Sequence, residues 1–305
     1  MHIQLIDEHK KELNLLAKKP FLTLEEIKKS NFYKVMQTAT SLTASYALID
    51  GHKCTIEALV LASKIASLSP NLVVANFNEC YDEYKDSLYS MSGITTNHLI
   101  EIARNLSKSP SLLHLKFGRN KLYEKCVEVS DILSHSGIRA LDFNDNHLGG
   151  YGAETARNFA KMKNLVKLNL CGNGLAQEGT LLVAQLTQSD TLEILDLSKN
   201  KLEEFTPHVA EMACEIRTLR YIDLGHNIHR DLAHNASPTN FENLSAKDII
   251  NEYNKKVQDS LEWRKSVECL KDVSSDLGAM YGTVGNIIET LGEEGHVFNP
   301  IQLDY

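Results

Sequence analysis

Five stretches of the chain repeat one pattern: LLHLKFGRNKL (112–122), IRALDFNDNHL (138–148), LVKLNLCGNGL (165–175), LEILDLSKNKL (192–202) and LRYIDLGHNIH (219–229). Their starts lie 26, 27, 27 and 27 residues apart. Each copy places apolar residues at its first, fourth and sixth positions and an asparagine at its ninth. An upstream copy, LVVANFNEC (72–80), carries cysteine in place of the asparagine, and SLTASYALID (41–50) is a weaker one. A unit this short cannot bury its own apolar face. It must stack on its neighbours, so the period dictates a solenoid.

The pattern L-x-x-L-x-L-x-x-N/C-x-L resembles that of leucine-rich repeat proteins, from about residue 72 to 229. Between the copies, GAETARNFAKM (152–162) and GTLLVAQLTQSD (179–190) space their apolar residues for helices, as in Thr155, Ala156 and Phe159 or Leu182, Val183 and Leu186. A period near 27 with room for a helix resembles the ribonuclease-inhibitor-like subclass. The resemblance implies an α/β fold: a leucine-rich repeat solenoid, a curved horseshoe with a parallel β-sheet on its concave face and helices on its convex face. Helical caps are expected at both ends. The expected organisation is a helical N-terminal cap over 1–50, about six to seven repeats over 51–230, and a helical C-terminal cap with an acidic tail over 231–305.

In the repeat family the asparagine side chain bonds backbone groups inside the turn, which implies a structural ladder of Asn120, Asn146, Asn173, Asn200 and Asn227. The residues between the inward leucines form columns across successive strands. One column is His114, Ala140, Lys167, Ile194 and Tyr221, and the next is Lys116, Asp142, Asn169, Asp196 and Asp223. A third is Gly118, Asn144, Cys171, Ser198 and Gly225, and a fourth is Arg119, Asp145, Gly172, Lys199 and His226. Six strands about 4.8 Å apart make a surface on the order of 25 Å wide, suited to a protein partner and too open for a small-molecule pocket. The candidate partner-binding residues are His114, Lys116, Arg119, Asp142, Asn144, Lys167, Asn169, Asp196, Ser198, Tyr221, Asp223 and His226. Aspartate inside LDL is common in this repeat type, so Asp142, Asp196 and Asp223 also have a background reading. An insert with three tyrosines, YDEYKDSLYSMSG (81–93), is a further candidate contact, or a loop that packs back on its coil.

Thr23 and Glu26 form a candidate capping box for a helix within LTLEEIKKSNFYKVM (22–36) that aligns Leu24, Ile27 and Val35. The lysine pairs 10–11, 18–19 and 28–29 are interleaved with acids and read as a solvated helix face rather than a membrane-binding patch. Apolar periodicity continues through 245–273, and from residue 272 onward there are six acids and no lysine or arginine.

A net charge of −8 argues against an overall basic footprint for nucleic acid, and no run approaches the length of a membrane span. The N-terminus does not read as a secretory signal. The six cysteines include no CxxC and read as reduced thiols, and no cofactor is expected. No P-loop, HExxH or GxSxG motif occurs, so no catalytic residues are assigned. His226, His229 and His234 match no standard metal spacing, and Cys171 reads as an inert thiol. Some repeat proteins of this subclass stimulate Ran GTPase with a loop arginine, for which Arg119 is the candidate here. The Asn, Lys, Ile and Ser content and the Glu293–Glu294 pair before an apolar C-terminus resemble the leucine-rich-repeat effectors that Legionella delivers by type IV secretion. That resemblance implies a virulence role, with binding of a host protein in the host cell cytoplasm. A eukaryotic cytoplasmic scaffold or small-GTPase regulator is the alternative.

Overall fold

The computed structural model describes residues 1–44, 55–80, 96–227 and 239–240. Strands β1 (His2–Gln4), β2 (Ser41–Thr43), β3 (Val74–Asn76), β4 (His114–Lys116), β5 (Ala140–Asp142), β6 (Lys167–Asn169), β7 (Ile194–Asp196) and β8 (Tyr221–Asp223) pair in sequence order, all parallel. β9 (Thr239–Asn240) closes the series antiparallel to β8. Helices return the chain between strands: α1 (Asp7–Ala17), α2 (Leu24–Lys29), α3 (Asn31–Met36), α4 (Ile56–Ser67), α5 (Thr96–Leu106), α6 (Cys126–Leu133), α7 (Gly152–Ala160), α8 (Glu178–Leu186) and α9 (Thr206–Ala213). This is the α/β leucine-rich repeat solenoid that the resemblance implies. Strands stack at about 4.8 Å while packed helices need about 8–10 Å. From β2 onward each coil carries one helix, so the helix side takes the longer arc and the sheet lines the concave side.

One apolar core runs the length of the described array. The leucines at the first and fourth repeat positions, such as Leu112, Leu115, Leu165, Leu168, Leu192 and Leu195, are all buried. Burying each contributes about 1.5–3 kcal/mol. The sixth position is phenylalanine in the earlier coils (Phe77, Phe117, Phe143) and leucine in the later ones (Leu170, Leu197, Leu224). Phe143 contacts Phe117 at 6.5 Å between ring centroids and meets Phe159 of α7 edge-on at 5.3 Å, tying sheet to helix layer.

The sheet begins earlier than the expected boundary near residue 50. Residues 1–44 contribute helices, and they also contribute β1 and β2. Ile3 and Leu42 occupy the same register row as Leu115. The segment 22–36 is two helices rather than one. The Thr23–Glu26 capping box starts α2, and Ser30 then ends it and caps α3 by accepting from the Tyr33 N–H at 3.1 Å. Ile27 is buried and Val35 half-buried, but Leu24 faces solvent. The insert at 81–93, His229, His234 and the expected C-terminal cap and tail lie outside the described residues, β9 excepted.

Candidate functional site

In β3 and in β5 to β8 a side chain ends the strand. Beyond the second strand column, the backbone N–H two residues on is taken by that column's own side chain. Asp142 Oδ1 accepts from the Asn144 N–H at 3.2 Å, Asn169 Oδ1 from Cys171 at 2.9 Å, Asp196 Oδ1 from Ser198 at 2.9 Å and Asp223 Oδ1 from Gly225 at 2.8 Å. Asn76 does the same for Asn78 at 3.0 Å. This is the Asx turn, in which a carboxylate or amide oxygen replaces the next strand bond. Lys116 breaks the series. There the Gly118 N–H goes instead to Asn78 Oδ1 of the preceding coil, at 2.6 Å. The following coil also comes close, since a Cβ on Gly118 would lie 1.7 Å from Asn144 Oδ1.

The asparagine ladder follows. Asn146 Nδ2 donates to the Phe143 carbonyl of its own coil at 3.2 Å and to that of Phe117 in the coil before at 2.9 Å. Its Oδ1 accepts from the Asn120 N–H at 3.0 Å. Asn120, Asn173, Asn200 and Asn227 repeat this three-way connection, and all five are buried. At the head of the row Cys80 substitutes a thiol, directed at the Phe77 carbonyl at 3.2 Å and that of Ala44 at 3.4 Å. The residues before the ladder position (Glu79, Arg119, Asp145, Gly172, Lys199, His226) all have left-handed backbone. So do the residues after it (Lys121, His147, Gly174, Lys201). The ladder bonds hold non-glycine residues in a conformation that costs about 1–2 kcal/mol each.

The register places the first two sequence-derived columns side by side: His114, Ala140, Lys167, Ile194, Tyr221 and Lys116, Asp142, Asn169, Asp196, Asp223 pair strand to strand. His2, Ser41 and Val74 extend the first, and Gln4, Thr43 and Asn76 the second. These positions are half-buried for the most part, with the inward residues between them fully buried. The electrostatics follow from that partial burial. It pushes the Asp142 and Asp223 carboxyls up, and the Asp196 charge adds to both. It pushes His114 and Lys167 down. The Tyr221 phenol is raised by burial and then by Asp223 and Asp196.

The twelve candidates therefore divide. Asp142, Asn169, Asp196 and Asp223 each spend one oxygen on a turn, and Asp142 is also hydrogen-bonded to the Asn78 side chain. Ser198 is buried and donates its hydroxyl to Asp196 Oδ1 at 2.7 Å, so it offers a partner little. Asn144 donates to Asp145 Oδ2 at 2.9 Å. Arg119 is exposed but ion-paired with Glu79 and, at 3.6 Å, Asp145. His226 is exposed, and His114, Lys116, Lys167 and Tyr221 are half-buried on the face. Burial pushes the Cys171 thiol up to about 11, which leaves it protonated at neutral pH and a poor nucleophile. Among the described residues, no group of three or more His, Cys, Asp or Glu side chains is placed to hold a metal ion. None of their helices is long and apolar enough to cross a membrane.

The turn-capping role of the second column was missed in the sequence reading. The alternation of Asp and Asn at one repeat position was its signal, because those two residues share an oxygen acceptor at the same reach. A second side-chain series also went unread. Ser111, Thr191 and Thr218 donate hydroxyls to the carbonyls of Leu72, Leu165 and Leu192 in the preceding coil, at 2.8, 2.8 and 2.7 Å.

No family model matches this chain, and no curated protein matches it. Among solved structures it is similar to TLR13 in a complex with ssRNA13, at 16% identity and a TM-score of 0.39. That match covers 66% of this chain and 24% of the other, so this chain spans about a quarter of the length of that neighbour.

Proposed function

We propose that this protein binds a protein partner across the concave face of its sheet, without catalysis. The observation that carries the reading is the register. Lys116, Lys167, Asp196, Tyr221 and Asp223 stand in two adjacent columns on β4, β6, β7 and β8 of one sheet in continuous register. The face carries Lys116 and Lys167 beside Asp142 toward one end and Asp196 and Asp223 toward the other, with Tyr221 as an aromatic anchor. A partner of opposite polarity fits it, and the charges act chiefly on the association rate.

The period of 27 with one helix per coil supports assignment to the ribonuclease-inhibitor-like subclass. The resemblance of composition and C-terminus to Legionella effectors supports a host protein as partner, reached by type IV secretion. Deleting residues 286–305 and measuring translocation tests that route, and unimpaired delivery removes it. The GTPase-regulator alternative is the weaker one, because the Arg119 guanidinium is held by two carboxylates.

The binding test uses substitutions that keep the turns. Asp196→Asn with Asp223→Asn preserves both oxygen acceptors, as Asn169 already does, and removes two charges. Proteins captured from host-cell lysate by the natural chain should be lost or bound more slowly by this variant and by Tyr221→Ala. Identical capture by all three chains would refute the concave-face reading.

A further inference from the structure

We infer that the N-terminal end of the solenoid docks on an anionic lipid surface, against the sequence expectation that its lysine pairs form only a solvated helix face. Exposed large apolar side chains concentrate there. Phe21 is 89% exposed, Leu15 68%, Ile6 53% and Leu24 47%. Phe21 sits in the short connection between α1 and α2, beyond the end of α1. Along α1, Lys11, Leu15 and Lys18 follow at helical spacing and are all exposed, so one stripe runs off the helix end toward Phe21. The Lys19–Glu26 ion pair at 2.9 Å fixes the start of α2 beside this end, where Leu24 and Lys28 lie one turn apart.

The charge of this end is positive in a chain that is negative. Residues 1–44 hold seven lysines against five acids, a balance of +2, which leaves −10 for the rest of a chain whose net charge is −8. Four of those acids are already engaged. Glu12 accepts from the Asn31 and Phe32 N–H groups, Glu26 closes its capping box, Asp7 pairs with Lys10, and Glu25 pairs with Lys28. Lys11, Lys18 and Lys29 are exposed and form no ion pair among the described residues. Exposed lysines on α1 and α2, with the exposed Phe21 in the connection between the two helices, complement an anionic bilayer. The lysines meet headgroups while the ring enters the acyl boundary. This docking surface is distinct from the concave face, so a membrane-held molecule still presents its columns.

Flotation of the full chain with phosphatidylcholine vesicles, with and without about 30% phosphatidylserine, tests the inference. Binding is expected only with the anionic lipid and should fall at high salt. Lys11→Gln with Lys18→Gln should weaken it about 25-fold, at about fivefold for each lysine near the surface. Phe21→Ser should weaken it about tenfold. Leu181→Ser, on the distant α8, should float like the natural chain. Equal binding to neutral vesicles, no binding to either, or no effect of Phe21→Ser overturns the inference. So does a concentration-dependent dimer that Phe21→Ser dissolves without any vesicle binding, since the patch would then join two copies of the chain.

Discussion

Replacing Asn146 by alanine isolates one rung of the ladder. The side chain is fully buried and serves three backbone groups: the carbonyls of Phe117 and Phe143 and the N–H of Asn120. Each buried group left unpaired costs about 1–3 kcal/mol. The three lie in one place and can share a relaxation or a water molecule, so the expected loss is about 3–4 kcal/mol rather than the full sum. That corresponds to a drop of about 6–16 °C in melting temperature. Two further substitutions sharpen the argument. Asn146→Asp keeps the size and the acceptor but turns an ionisable, donor-free oxygen on two carbonyls, and should cost more than alanine. Asn146→Cys restores one donor, as Cys80 does naturally, and should cost less. Urea titration would rank the three, and amide exchange at Asn120 would report the broken rung directly. A loss below about 0.5 kcal/mol for alanine, or an aspartate variant as stable as the alanine one, would refute the claim that the bonds rather than the residue's volume hold the turn.

The remaining predictions concern the second column and the glycine beside it. Burial raises the Asp223 carboxyl above its ordinary 3.8, so the folded state favours its neutral form. Below pH 3.8 both folded and unfolded chains are protonated and no penalty exists. The penalty develops as pH rises through the folded-state value and persists at neutrality. Asp223→Asn, which keeps the turn acceptor, should therefore be more stable than the natural chain at pH 7 and equal to it near pH 3, as read from melting curves at the two pH values. Gly118→Ala forces Asn144 out of its place and should cost about 1–3 kcal/mol by urea titration, whereas an alanine at Gly137, where a Cβ meets nothing within 4 Å, should not.

The repeats were legible because each copies one apolar spacing that the geometry of a coil requires. The columns were legible for the same reason, since alternation along a strand assigns each residue its side. The first two strands were harder to read. His2–Gln4 carries only Ile3 and then Leu5 inward, without the opening leucine or the asparagine. The aspartates were readable as polar and outward, but their turn-capping bonds depend on a backbone bend that no apolar pattern records. The same holds for the left-handed residues beside the ladder. Lysine, arginine and glutamate occupy positions where glycine is the ordinary signal, and only the neighbouring coil's bonds explain why they are tolerated. On the helical side, Asn105 bonds Ser63 at 2.9 Å and Asn158 bonds Ser130 at 3.1 Å, a pairing between helices that sequence spacing alone does not reveal.

Between coils, the asparagine connections all point one way. Each side chain reaches back to the coil before it, supplying donors to that coil's carbonyl and an acceptor to its N–H. A coil is therefore completed by residues that leave the ribosome about 27 positions later. During synthesis the most recently emerged coil always has an unfinished turn, and the array closes behind the growing end one period at a time. A pause in translation just after a strand would hold that turn open, while the coils made earlier are already sealed.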